Sequence, residues 1–429
     1  MQSKSKQKSE IHNLQSKFQS GDLDSLDRGV NIRIFSVLFL SIFTTMLGLS
    51  IILPILPLYV QSEQIGASGF WVGAIFAGFS ISRSIFMPVV GKISDRRGRK
   101  SFIATGLFIY SLSSLGYIYA NSAVALFLVR VVQGICSAMI VPIAMAYIGD
   151  IAPKDREGSY MGFFTVSLFL GFGFGPFIGG FIKDFFSVNA AFIVMGILCG
   201  LSFLFVLVSL PSSHATDQVK RAAPTSFRKI IEQPQIKGVI CFRFVSAFGR
   251  AAVLTFLPLY ASYSLNMSGF QIGLVISAGV LLTSFLQYPF GKLADTMDRR
   301  VLILTGNILY SIAIVLYPFT HSFIEVLGLS LLLGIFGAVP LPAATALIVE
   351  EGKKYGMGST MAVFNVAMSL GLGIGPLVSG LIHDISGPKA VFYFSAVLGV
   401  FGTLVAGHFL SASPPPPEPS VEHAIAEDM

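Results

Sequence analysis

Twelve runs of 20 to 28 mostly apolar residues dominate this chain of 429 residues and leave little choice of architecture. Lipid supplies no water for stray backbone N–H and C=O groups, so a spanning element is either a helix of roughly 20 apolar residues or a strand of a closed barrel. Barrel strands alternate over about 10 residues, a pattern that runs of this length exclude. The expected fold is an all-α polytopic membrane protein with twelve transmembrane helices. Charged residues make up 12% of the chain, about half the usual share of a soluble domain, so a water-soluble enzyme is excluded too.

The runs fall at about 34–60, 69–91, 101–120, 122–149, 158–183 and 189–211, then at 236–262, 269–291, 301–320, 323–350, 357–383 and 389–410. Five regions follow: a cytoplasmic lead-in (1–32), an N-terminal six-helix bundle (33–211), a cytoplasmic linker (212–235), a C-terminal six-helix bundle (236–411) and a Pro-rich solvated tail (412–429). The lead-in has no apolar core of a signal peptide. Of the 29 Lys and Arg residues, 23 lie in the lead-in, the linker or alternate loops, two (Lys183 and Lys389) lie on the other side, and four are inside the membrane. Basic loops stay in the cytoplasm, so both termini are expected there, in a multi-pass protein of a prokaryotic cytoplasmic membrane. The same placement explains the net charge of +7 without a nucleic-acid partner. Cys136, Cys199 and Cys241 sit inside apolar runs with no spacing for a disulfide framework or a metal site.

The two halves repeat at an offset near 200. Gly69, Phe70 and Gly73 match Gly269, Phe270 and Gly273; Pro57, Leu58 and Tyr59 match Pro258, Leu259 and Tyr260. GKISDRRGRK at 91–100 matches GKLADTMDRR at 291–300, and GFGFGPFIGGFIKD at 171–184 matches GLGIGPLVSGLIHD at 371–384. Packing requirements of apolar helices cannot align polar loop residues, so this is a true repeat, and six plus six helices in parallel repeat is a transporter pattern.

Over about residues 33–411, GKISDRRGRK and the Gly-Pro element make the chain resemble the major facilitator superfamily, and within it the twelve-helix drug/proton antiporter branch. The resemblance implies alternating access and a cytoplasmic gate built from Gly91, Asp95, Arg96, Gly98, Arg99 and Lys100, with Asp150 on the same side and Gly291, Asp295 and Arg299 in the second copy. That copy lacks the second Gly, having Met297 and Asp298 there. Arg130, Gln133 and Gly134 are similar to the family element in which a buried Arg takes part in proton coupling. Gly171, Gly175, Pro176, Gly179 and Gly180, with Gly371, Gly375, Pro376 and Gly380, read as close-packing seams or hinges, since glycines at four-residue spacing let helices approach and Pro permits a bend.

Away from helix ends, the apolar runs contain Arg83, Arg130, Arg243 and Arg250 and no Asp or Glu. Related antiporters often carry an acid where Thr45 stands here, so proton coupling through a buried carboxylate is not implied by the residues themselves. A buried cation needs a partner or a polar cavity. Arginines without acids would attract an anion, so the expected cavity comprises Arg83, Arg130, Arg243 and Arg250 with the uncharged Gln133, Gln287 and Asn365, and abundant Phe supplies apolar walls. The expected function is a secondary transporter of small amphipathic compounds, an exporter, acting as a monomer, with proton coupling left open. The alternative is an organic-anion or lipid-like-anion transporter or flippase. No catalytic cluster, phosphate-binding loop, metal or cofactor is expected.

Overall fold

The computed structural model describes residues 23–151, 157–210 and 230–411. The Pro-rich tail and most of the linker therefore lie outside the described residues. The first half contains α1 (Leu23–Ile51), α2 (Leu56–Gln61), α3 (Gly69–Arg97), α4 (Arg99–Tyr119), α5 (Ala123–Ile151), α6 (Glu157–Phe185) and α7 (Val188–Ser209). The second contains α8 (Pro234–Leu265), α9 (Gly269–Thr296), α10 (Arg299–Val315), α11 (Phe323–Ala338), α12 (Pro340–Tyr355), α13 (Met357–Ser386) and α14 (Pro388–Ser411). They form 12 stretches long and apolar enough to cross a bilayer. No strand occurs among the described residues.

Two spans break at a proline, while Pro88, Pro142, Pro176, Pro258, Pro289 and Pro376 lie inside unbroken helices. Between α1 and α2 the chain turns over Ile52–Ile55, where Pro54 cannot donate the next helical bond. In the second copy Thr255 occupies that place and α8 runs unbroken. Pro340 similarly divides the tenth span into α11 and α12. The structure also starts α1 at Leu23, inside the stretch expected to be a polar lead-in; from Leu23 to Ile51 there is no proline to stop a helix.

The repeat is visible in packing. In the first half α1 packs on α6 and α7, and α3 on α5; in the second, α8 packs on α13 and α14, and α9 on α11. The halves meet along two seams, α6 with α9 and α3 with α13. One core cluster runs through the first half from Leu38 to Val206 and Leu210. The second half has two separate clusters, one around Val253, Tyr310 and Phe392 and one around Phe242, Leu347 and Leu410. Along α8 the gap between them spans the stretch that carries Arg243 and Arg250.

Two turns explain a difference between the copies. Gly98 links α3 to α4 with φ of 91°, a conformation that disfavours any side chain. In the second copy Asp298 has φ of −60° and its carboxylate accepts from Arg300 N at 2.8 Å, so that turn needs no glycine.

Candidate functional site

The ends of the bundle differ in charge. Arg99, Lys100, Arg299, Arg300, Lys353 and Lys354 mark one end, called here the basic end; Asp184 and Asp384 lie at the other. At that other end the two halves are fastened symmetrically. Gly69 N and Phe70 N donate to the Asp384 carboxylate at 2.6 and 2.8 Å, and Gly269 N and Phe270 N donate to Asp184 at 3.1 and 2.7 Å. Each carboxylate thus takes two orphan N–H groups at the start of a helix of the opposite half, where the helix dipole favours negative charge.

Glycines make the approach possible. A Cβ at Gly73 would meet the Pro376 carbonyl, one at Gly273 the Pro176 carbonyl, and ones at Gly180 and Gly380 the carbonyls of Gly269 and Gly69. Gly171, Gly175 and Gly179 instead face the α1 backbone, and Gly371 and Gly375 face α8. One surface of α6 and α13 therefore packs inside its own half and another forms the seam. A further bond, Phe177 N to Ser277 Oγ at 2.8 Å, closes the α6/α9 seam; Ala77 stands at the matching place in α3.

On α3, Gly69, Gly73, Ala77 and Ile81 are four residues apart and share a face. Nearer the basic end, Ile85 and Val89 of α3 are 60% and 51% exposed, and Phe285 of α9 is 66% exposed. Cβ atoms built at Gly91, Gly162 and Gly291 meet nothing within 4 Å. The halves are fastened to each other at the Asp184/Asp384 end.

Two cavities lie between the halves. The larger, ≈ 120 Å³, is lined by Arg250, Tyr310, Thr283, Ser330, Leu257 and, from the other half, Phe169 and Phe172. The smaller, ≈ 110 Å³, is lined by Arg130, Phe76, Phe79, Leu49 and Ser80, with Thr255 and Pro376 from the other half. Phe172 and Leu254 border both.

The arginines are placed very differently. Arg130 is 2% exposed, with its guanidinium over the rings of Phe76 (4.9 Å) and Phe79 (5.3 Å). Its Nη1 is 3.5 Å from Gln133 Oε1, which accepts from Tyr117 at 2.6 Å, while Gln133 Nε2 donates to Ser113 at 3.0 Å. Arg243 lines neither cavity: it stacks on Phe364 at 4.7 Å and reaches the Met368 sulfur at 2.7 Å. Arg250 lies 5.9 Å from the Tyr310 ring centroid and has no hydrogen-bond or ion-pair partner among the described residues. Arg83, Gln287 and Asn365 line neither cavity, and Asn365 Nδ2 donates to Met361 O within its own helix. Thr45 is buried and bonded to Ser41 O at 2.6 Å.

Among the residues expected at the gate, the side chains of Asp95, Arg96 and Asp150 lie outside the described residues. Arg99 is 8% exposed and Asp295 is exposed. Arg299 donates to the Glu350 carboxylate at 3.0 Å and to Ala294 O at 3.2 Å, tying the starts and ends of α10, α12 and α9 together. Glu350 is the repeat partner of Asp150, so the offset alone points to it. The pair is about a third exposed on each side. Glu350→Gln is accordingly expected to destabilise the protein by less than about 1 kcal/mol, read as a small fall in melting temperature; a large fall would show that the pair holds the three helices together.

The family model described as Major Facilitator Superfamily matches residues 38–242 and again 239–425, one match for each half. The chain belongs to the major facilitator superfamily. It is a membrane transporter rather than an enzyme. An MFS-type transporter of Methanocaldococcus jannaschii is 30% identical over 370 residues, 85% of this chain and 95% of its own length. The quinolone resistance protein NorA of Staphylococcus aureus is 28% identical over 384 residues, 88% of this chain and 96% of that protein. The crystal structure of the human organic anion transporter MFSD10 superposes with a TM-score of 0.63 at 20% identity, over 88% of this chain and 99% of that one. As a member of this superfamily the chain has the expected architecture of two six-span halves. What the sequence reading misses is Asp184 as the twin of Asp384: both end a Gly-Pro element and repeat at the same offset, but the groups they hold lie 85 and 315 residues away.

Proposed function

We propose that this protein moves small amphipathic organic compounds across the cytoplasmic membrane by alternating access, as an exporter, with the basic end and both termini in the cytoplasm. The carrying observation is the pair of largely apolar cavities between the halves, whose seams are fastened at one end by Asp184 and Asp384. A compound enters from the cytoplasmic side, occupies a cavity, and leaves after the Asp seams part and the basic end closes. The quinolone resistance of the relative NorA supports outward movement of organic compounds. Basic loops gathered at one end support the orientation.

A second reading, transport of organic anions, is supported by Arg250, a cation without an anionic partner, and by the name of the organic anion transporter MFSD10.

The test is release of preloaded anionic, neutral and cationic dyes from proteoliposomes. Dye movement blocked in a seam-locked protein supports the proposal, and movement confined to lipid analogues would replace it with a flippase. Arg250→Gln is expected to slow anionic dyes at least tenfold, the loss of about 1.4 kcal/mol from a charge-assisted bond, and to leave neutral dyes near wild type. Equal slowing of all dyes would remove the anion reading.

A further inference from the structure

The repeat allows the two cavities to be compared residue by residue, and they prove to be the same place in the two halves. Leu49, Phe76, Phe79, Ser80 and Arg130 of the smaller cavity correspond to Arg250, Ile276, Gly279, Val280 and Ser330 of the larger, with the offset of 201 that α1 and α8 share and of 200 elsewhere. Phe172 and its counterpart Leu372 each reach across to the other half's cavity.

The copies have filled this place in opposite ways. In the first half it holds two phenyl rings with a guanidinium laid over both, buried and hydrogen-bonded to Gln133. In the second half those three side chains are Ile276, Gly279 and Ser330, which are smaller and uncharged, and Leu333 replaces Gln133. What opens there is the larger cavity, at the depth where the second half's core is split in two. Into it Arg250 projects from α8, where the first copy has Leu49. The first half is thus occupied by its own cation and rings. The second presents a cation with no partner in a hole of similar origin.

We infer that the cavity of the C-terminal half is the substrate pocket, and that it takes a compact organic compound bearing one anionic group, a carboxylate or sulfonate, held by Arg250. This rests on the transporter reading above. The single charge follows from the lining: Arg250 is the one charged residue among the described residues that line the cavity, so a second anionic group would be buried without a partner. Compactness follows from the ≈ 120 Å³ of space that the lining leaves open. The apolar body lies against Phe169, Phe172, Leu257 and Leu333, and Tyr310 flanks the guanidinium.

The experiment is a thermal-shift and calorimetric titration of the full-length protein in nanodiscs with 2-naphthoate, 2-naphthylmethanol, 2-naphthylmethylammonium, 2,6-naphthalenedicarboxylate and oleate. Stabilisation by 2-naphthoate above the other four is expected. Arg250→Gln should weaken that binding about tenfold or more, and Arg250→Lys should keep part of it, which separates loss of charge from loss of fold. Ser284→Phe, which fills the pocket from α9 at the cost of a bond within its own helix, should abolish it with the ligand-free melting temperature unchanged. Naphthoate binding that survives both Arg250→Gln and Ser284→Phe, or that is lost in Arg130→Gln alone, would overturn the assignment. Preference for oleate or for the dicarboxylate would overturn the compact monoanion. Binding without counterflow of 2-naphthoate in proteoliposomes would keep the pocket and remove the proposed export of such compounds. Dye transport that persists with no naphthoate binding would do the reverse.

Discussion

Replacing Asp184 and Asp384 together by Ala is expected to open the end of the protein opposite the basic loops. Each carboxylate accepts two backbone N–H groups from the first turn of a helix in the other half, at 2.6 to 3.1 Å. Those bonds are charge-assisted, and removing the acceptor leaves two donors facing a seam where glycines bring backbones into contact. A loss of about 1.5 kcal/mol or more per carboxylate shifts the balance between closed and open seams about 100-fold or more in the double variant, and about tenfold in each single one. Ala77 on the α3/α13 seam is 3% exposed, so Ala77→Cys, in a background without Cys136, Cys199 and Cys241, reports the opening. Its labelling by an impermeant maleimide should rise by that factor. A rate that stays at the level of the intact acids would show that apolar packing alone holds the seams.

Gly73→Leu and Gly273→Leu should produce the same open seam by a different physical route, and should stop transport. A Cβ at either position runs into the carbonyl of Pro376 or Pro176, backbone atoms that cannot rotate away. Overpacking of this kind costs about 1–3 kcal/mol for small insertions and more for a branched side chain, enough to make the closed seam a minor state. The protein then cannot complete a cycle that passes through this arrangement, and transport should fall at least tenfold while Ala77→Cys labelling stays high. Gly91→Ala gives the contrast. With nothing within 4 Å of its built Cβ, it should leave the closed seam and the labelling unchanged. Equal labelling of the Gly73→Leu, Gly91→Ala and wild-type proteins would separate the seam from the transport cycle.

Much of this molecule is legible in one dimension, because a bilayer imposes simple rules. Spans need length and apolarity, and twelve stretches satisfy both. The internal offset identifies two equivalent halves, and even marks Glu350 as the twin of Asp150. The Gly-Pro elements read as places of close approach, and a side chain at Gly175, Gly180 or Gly380 would collide with a neighbouring helix.

The difference among the four buried arginines is not legible. By composition they are equal: each is a cation in an apolar run with no acid nearby. In space, Arg130 lies over two rings from α3, Arg243 turns to Phe364 and Met368 of α13, and Arg250 alone lines the larger cavity. Which neighbour a guanidinium meets depends on helix rotation and on the size of side chains far away in sequence, such as Phe79 in one half and Gly279 in the other. The same is true of Asp384 and the Gly69 amide, which are 315 residues apart. The number of spans and the duplication follow from hydrophobicity and self-similarity along the chain, whereas which charges are satisfied, where the halves are fastened and where space remains depend on contacts between helices that no local pattern encodes.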